Sequence, residues 1–153
     1  DIKATYHDPC YLGRYNGIYD DPRDVMELCG IDLVEMPRNK ENSFCCGAGG
    51  GRVWLPDHDD MTQRPSENRI EEAVAVGVNN FTVACPKDMT MYADAAKTSG
   101  NEDNMAVKDI IDFVLEAMDL PEEVEEPEPI AEEVVPVENT SESIDKNVSG
   151  DEE

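Results

Sequence analysis

Phe81-Thr82-Val83-Ala84-Cys85-Pro86 sets a short apolar run, a cysteine and a helix-opening proline end to end. Phe, Thr and Val suit a pleated strand, and Pro at the first helical position forfeits only an N–H that has no partner there. The predicted unit is strand Phe81 to Ala84, then Cys85, then a helix that Gly100 closes. Upstream, Ser66 is the expected cap of a helix in which Ile70, Ala73, Val74 and Gly77 recur at i, i+3, i+4 and i+7. The N-terminus repeats the pattern: Ile2 to His7 reads as a strand, and Asp8-Pro9-Cys10 as a turn with Asp8 as N-cap. Between these, Asp21-Pro22 starts a helix with Val25, Leu28 and Cys29 on one face and Gly30 at its end, and Leu33 to Met36 is a strand stopped by Pro37. Val107, Ile110, Ile111, Val114, Leu115 and Met118 form the stripe of a last helix that ends before Pro121. Strands alternating with helices predict an α/β fold, a small, mostly parallel sheet with flanking helices. Ligands of such sheets gather at the carboxyl ends of the strands, where this reading puts Cys10 and Cys85.

The third cysteine-bearing stretch is Ser43-Phe44-Cys45-Cys46-Gly47-Ala48-Gly49-Gly50-Gly51-Arg52. Two adjacent thiolates run into backbone free of side chains, which leaves room beside them for a bulky group. Between Cys10 and Cys45 lie 34 residues, and between Cys46 and Cys85 lie 38, so these sulfurs meet only through the fold. A total of five cysteines, odd in number, with one adjacent pair and no secretory signal, favours a reduced compartment and metal ligation over disulfides. Thiolates around an iron–sulfur cluster need N–H donors and positive dipole ends; helix N-termini behind Cys10 and Cys85 and the N–H groups of Gly47, Gly49 and Gly50 would supply them. The glycines carry no nucleotide fingerprint, since Gly47-Ala48-Gly49 lacks the third glycine and no Lys-Ser or Lys-Thr follows.

Charge narrows the class of partner. The net charge is −24 over 153 residues, and half of it belongs to residues 121–153, which hold thirteen acidic residues against Lys146 alone. That segment has no aromatic residue and no sustained apolar period, and is expected to be a disordered acidic tail after a domain at 1–120. An acidic body repels nucleic acid and anionic membrane surfaces, so neither is expected as a direct partner. Acid spread over the body of a chain with only six lysines fits adaptation to a salty cytoplasm. No apolar run is long enough to span a bilayer. The start at Asp1, one step before a strand, is expected of a segment of a longer polypeptide, cytoplasmic itself and attached to a membrane, if at all, through other parts.

The runs Tyr6-His7-Asp8-Pro9-Cys10-Tyr11-Leu12-Gly13-Arg14, Ser43 to Gly51, Ala84-Cys85-Pro86 and Met89-Thr90-Met91 together resemble the cysteine-rich CCG domain of heterodisulfide reductase and related iron–sulfur oxidoreductases. The resemblance covers most of residues 2–118. It implies that Cys10, Cys45, Cys46 and Cys85 ligate a [4Fe-4S] cluster, cubane or non-cubane. It also implies an electron-transfer role between a flavoprotein or dehydrogenase, such as electron-transferring flavoprotein, and a quinone or a thiol/disulfide acceptor. A ferredoxin-like domain and a second CCG domain, in the same chain or as subunits, are the implied partners. The family's last cysteine falls where this chain has Asp88, so a fifth ligand there would be a hard carboxylate oxygen, and a four-cysteine cubane that relays electrons is the more economical form. No residue is assigned a catalytic role.

The same four thiolates would also make a tetrahedral structural zinc site, redox-silent, in an interaction module whose binding element is the acidic tail. His7 is read as a neighbour that tunes the site or simply packs at a strand end; Trp54 and the tyrosines as docking surface or rim packing; Arg14 and Arg52 as charge balance or solvated surface.

Overall fold

The computed structural model of the chain describes residues 2–118. Four strands, β1 (Ile2–Tyr6), β2 (Ile31–Leu33), β3 (Asn80–Val83) and β4 (Ala106–Asp109), form one sheet in the order β2-β1-β3-β4, and every pairing is parallel. Helices α1 (Gly13–Asn16), α2 (Asp20–Leu28), α3 (Pro65–Ala75), α4 (Pro86–Thr98) and α5 (Ile110–Ala117) make the connections with two short 3₁₀ turns, Lys40–Asn42 and Arg52–Trp54. The expected α/β fold with a small parallel sheet is the fold observed. The segment 121–153, expected to be a disordered tail, lies outside the described residues. Among the described residues no helix is long and apolar enough to cross a membrane.

The register distributes side chains to two faces. Thr5 pairs with Phe81 and Phe81 with Val107, while Tyr6 pairs with Thr82; because successive strand residues alternate sides, these two sets face opposite layers. On one face Phe81 and Val83 pack with Ile70 and Ala73 of α3 and with Tyr92 and Ala95 of α4. On the other, Ala4, Tyr6 and Ile31 pack with Met26 of α2 and Phe113 of α5. A sheet covered on both sides excludes water from its whole ladder, which is the usual condition of parallel sheets.

Several local readings are corrected. Val107 belongs to β4 and not to the last helix: its position three residues before Ile110 mimics a helical stripe, but Val107 is paired with Phe81 of β3. The helix begins instead at a capping box, in which the Asp109 side chain accepts the Ile111 N–H at 3.0 Å and the Asp112 side chain accepts the Asp109 N–H at 3.0 Å. In α2 the buried residues are Pro22 and Met26, with Cys29 partly buried beyond them, whereas Leu28 is 86% exposed. The second strand ends at Leu33, short of Met36. Ser66 is a buried residue inside α3, not its cap, since Pro65 already occupies the first helical turn.

Candidate metal centre

The strand order places the site. Going from β1 the chain crosses to β2 on one side, then returns to β3 on the other side of β1, so the topological switch point lies between the carboxyl ends of β1 and β3. A crevice opens at that point in doubly wound sheets. Cys10 follows β1 by four residues and Cys85 follows β3 by two. The long connection between β2 and α3 carries Cys45 and Cys46 back over the same end.

A cavity of about 300 Å³ lies there, lined by Cys10, Cys45, Cys46, Gly49, Gly50 and Asp88 among others. Cys10 and Cys45 are exposed at its mouth, and Cys46 is buried. Cys85 is half-buried at the N-cap position of α4 and is not among the lining residues; its thiol instead faces the Asp88 carboxyl group, as does that of Cys46. Asp88 therefore links the fourth cysteine to the other three. The fifth, Cys29, packs near the α2 side of the sheet, consistent with a core residue.

The glycine loop contributes through its backbone. The N–H of Gly47 donates to Cys45 Sγ at 3.3 Å and that of Ala48 to Cys46 Sγ at 3.5 Å. These bonds favour sulfur carrying negative charge. Gly47 has φ +85°, and a Cβ on it would also press on the Pro65 ring at 3.4 Å. Gly50, at φ +63°, turns the loop so that backbone rather than side chain faces the cavity. Of the three predicted glycines, Gly49 and Gly50 line the cavity and Gly47 does not.

Burial shapes the electrostatics. The Cys46 thiol is pushed well up by burial, against the opposing N–H of Ala48. Burial also raises Asp88, which is 3% exposed, although the facing thiols of Cys46 and Cys85 pull the other way. His7 lies 3.7 Å from Asp88, but burial and then the Arg69 charge push its pKa down to about 3, so at neutral pH it is a neutral imidazole and the pair is no salt bridge. Tyr92 OH stands within 3.3 Å of the His7 ring nitrogens, and the two rings meet edge to face. Asp88 Oδ2 is buried without a hydrogen-bond partner among the described residues.

This donor set fits a sulfur-rich metal group. Three thiols border one cavity, a fourth stands behind the same carboxylate, two sulfurs already accept N–H bonds, and one buried carboxylate oxygen is unsatisfied. Among the described residues no three His, Cys, Asp or Glu side chains converge closely enough for a single ion. Charged thiolates emerge when a metal displaces their protons, and at Cys46 that displacement is opposed first by burial and then by the Asp88 carboxyl group.

Residue spacing places the cysteines but does not show how far Asp8 reaches. Its carboxylate accepts two bonds from Arg23, at 2.7 and 2.9 Å, and the backbone N–H of Lys40 at 2.7 Å. Local rules make it a helix cap, and nothing local signals a partner fifteen residues away. Tyr92 escapes sequence reasoning for the same reason; its place on the buried face of α4 is legible, its contact with His7 is not. Arg14 and Tyr15 line the cavity, whereas Arg52 turns to Asp57 and Trp54 is 85% exposed away from it.

Comparisons with known proteins give the family. The family model described as CCG, cysteine-rich domain, matches residues 4–90, which contain all four candidate cysteines. The EtfAB:quinone oxidoreductase of Syntrophomonas wolfei is 37% identical over 123 residues, covering 77% of this chain and 17% of the relative. The probable membrane-anchored ferredoxin of Chromohalobacter salexigens is 42% identical over 118 residues, 76% of this chain and 17% of the relative. A subunit of the dihydromethanophenazine:CoB–CoM heterodisulfide reductase of Methanosarcina mazei is 39% identical over 122 residues, 76% of this chain and 28% of the relative. The chain thus spans less than a third of the length of these relatives. No solved structure shows significant similarity to it. The matched span and the cysteine-lined switch point make the chain a member of the CCG cysteine-rich domain family.

Proposed function

We propose that the domain is an electron-transfer module of an iron–sulfur oxidoreductase related to heterodisulfide reductase, with Cys10, Cys45, Cys46 and Cys85 as the ligands of one [4Fe-4S] cluster. The observation that carries the reading is the convergence of Cys10, Cys45 and Cys46 on one cavity with Cys85 joined to them through Asp88. The names of the relatives support it, since three of them are a quinone oxidoreductase, a ferredoxin and a heterodisulfide reductase component. When bound, the cluster would supply one-electron storage at a potential set by its surroundings.

The chain's own residues define those surroundings. Gly47 and Ala48 hold negative charge on two sulfurs through their N–H groups. His7, Tyr92 and the sheet exclude water on the inner side, while Cys10 and Cys45 leave the outer side open. An open side places a redox group near a docked donor or acceptor. Within a larger oxidoreductase, the donor is a flavoprotein or dehydrogenase and the acceptor a quinone or thiol/disulfide couple, reached through ferredoxin-like and further cysteine-rich domains. Asp88 serves as neighbour to two ligand sulfurs and is not needed as a fifth ligand.

The test is optical. Protein purified without oxygen should absorb broadly in the visible, bleach on addition of dithionite and regain its absorbance on reoxidation. A colourless protein containing zinc would leave the structural metal-binding reading in its place.

A further inference from the structure

Cys10 and the Cys45-Cys46 pair reach one cavity on chain segments that share no strand or helix, yet one aspartate ties the two segments together. Asp8, 4% exposed, sits two residues before Cys10. Its Oδ2 accepts the backbone N–H of Lys40 at 2.7 Å, and its main-chain carbonyl accepts the Ser43 hydroxyl at 3.1 Å. Lys40 and Ser43 begin the arm that ends in Cys45 and Cys46. Asp8, Lys40 and Ser43 all line the cavity themselves.

Two further facts separate this contact from ordinary surface pairing. Lys40 has φ +51° and is the only non-glycine in the left-handed region among the described residues. Such a conformation is strained and persists only where surroundings impose it; here the imposing contact is the bond from its own N–H to Asp8. Asp8 is in turn fixed by Arg23, which forks onto both of its oxygens, and Arg23 is held by Glu35, by the Tyr19 carbonyl and over the Tyr6 ring. Paired guanidinium–carboxylate forks restrict direction as well as distance.

We infer that Asp8 is a positioning residue that sets the Cys45-Cys46 arm against Cys10 before any metal arrives. It forces the left-handed turn at Lys40 and thereby the path of the next five residues. It makes no hydrogen bond to a candidate ligand sulfur, so its action runs through the Lys40 backbone and the Ser43 hydroxyl. The inference about positioning is independent of which metal binds; its consequence for metal retention rests on the proposed iron–sulfur reading.

Three variants of the 153-residue chain test it. Asp8→Ala removes the carboxylate tie to the arm and the anchor on Arg23 together. Asp8→Asn keeps an acceptor for Lys40 but gives up the charge facing Arg23. Glu35→Gln weakens the same arginine's other partner and touches neither segment. In the metal-free chain, the rate at which a short bifunctional thiol reagent joins Cys10 to Cys45, mapped by peptide mass spectrometry, should fall severalfold in Asp8→Ala, recover most of its value in Asp8→Asn and stay at the wild-type value in Glu35→Gln. In the metal-loaded chain, iron loss to a chelator should accelerate by about tenfold or more in Asp8→Ala, the scale on which partners behind metal ligands act. Equal slowing of crosslinking in Asp8→Ala and Glu35→Gln, or slowing in neither, overturns the inference. Should Asp8→Ala not fold, Asp8→Glu decides, since its longer side chain keeps a charge for Arg23 but displaces the acceptor from the Lys40 N–H: wild-type crosslinking in it overturns the inference, and slowing sustains it. If wild-type protein holds no iron while the crosslinking differences persist, the iron–sulfur reading fails and the positioning role stands.

Discussion

Position 88 is where the chemistry turns on one residue. The resemblance read from the sequence implies a further cysteine three residues after the one that matches Cys85; this chain has a carboxylate there, and burial has removed it from water while leaving Oδ2 unpaired among the described residues. A carboxylate in that state is a poor lone ligand for a sulfur-rich group but a good acceptor for thiols, and Cys46 and Cys85 face it. Asp88→Ala is therefore expected to leave iron and sulfide content close to wild type. The same change should relieve the desolvation that Asp88 suffers when charged, so the metal-free protein should gain or lose no more than about 1 to 2 kcal/mol. Iron release on this substitution would make Asp88 a ligand after all. At this scale the sequence is informative about proximity: Cys10, Cys45, Cys46 and Asp88, singled out by residue type and spacing, line one cavity. The partners of Asp8 and His7 are not legible in it, because each is a pairing between elements that no local pattern records.

One ion network ties the segment after β2 to α3. Glu72 accepts the Arg38 N–H at 2.8 Å, Arg38 Nε at 2.8 Å and Arg69 Nη1 at 2.9 Å. Burial alone would raise the Glu72 carboxyl, but the Arg38 bonds and then the Arg69 bond and charge outweigh it and hold it below the usual carboxylate range. A carboxylate depressed in the folded state contributes stability that is present above its unfolded pKa and lost as pH falls through its folded one. Glu72→Gln should thus destabilise the protein by about 1 to 3 kcal/mol near neutrality, and the gap to wild type should close as pH drops below the ordinary Glu range of about 4.3. Denaturant melts across that range measure it; a gap that stays constant with pH would show that the charge of Glu72 contributes nothing. Most elements are readable from period and punctuation, and the carboxyl-end placement of Cys10 and Cys85 follows from them. The strand β4 and the element boundaries are not. Val107 satisfies a helical spacing by coincidence, and only its pairing with Phe81 distinguishes strand from helix.

Across the whole molecule, the switch point between β1 and β3 explains why cysteines separated by dozens of residues share one address. Three chain segments reach it: two directly from strand ends, one as a loop long enough to arch back. The sheet is closed to water on both faces, so room for a polar site is left at the strand ends, where the cavity lies. The measurement that bears most directly on this account is the iron and acid-labile sulfide content of the anaerobically reconstituted chain and of its five Cys→Ser variants. Cys10→Ser, Cys45→Ser, Cys46→Ser and Cys85→Ser should each lose most of both, and Cys29→Ser, whose sulfur packs on the α2 side of the sheet, should keep both. Equal retention in all five, or a wild-type protein that takes up zinc with neither iron nor sulfide, would contradict it.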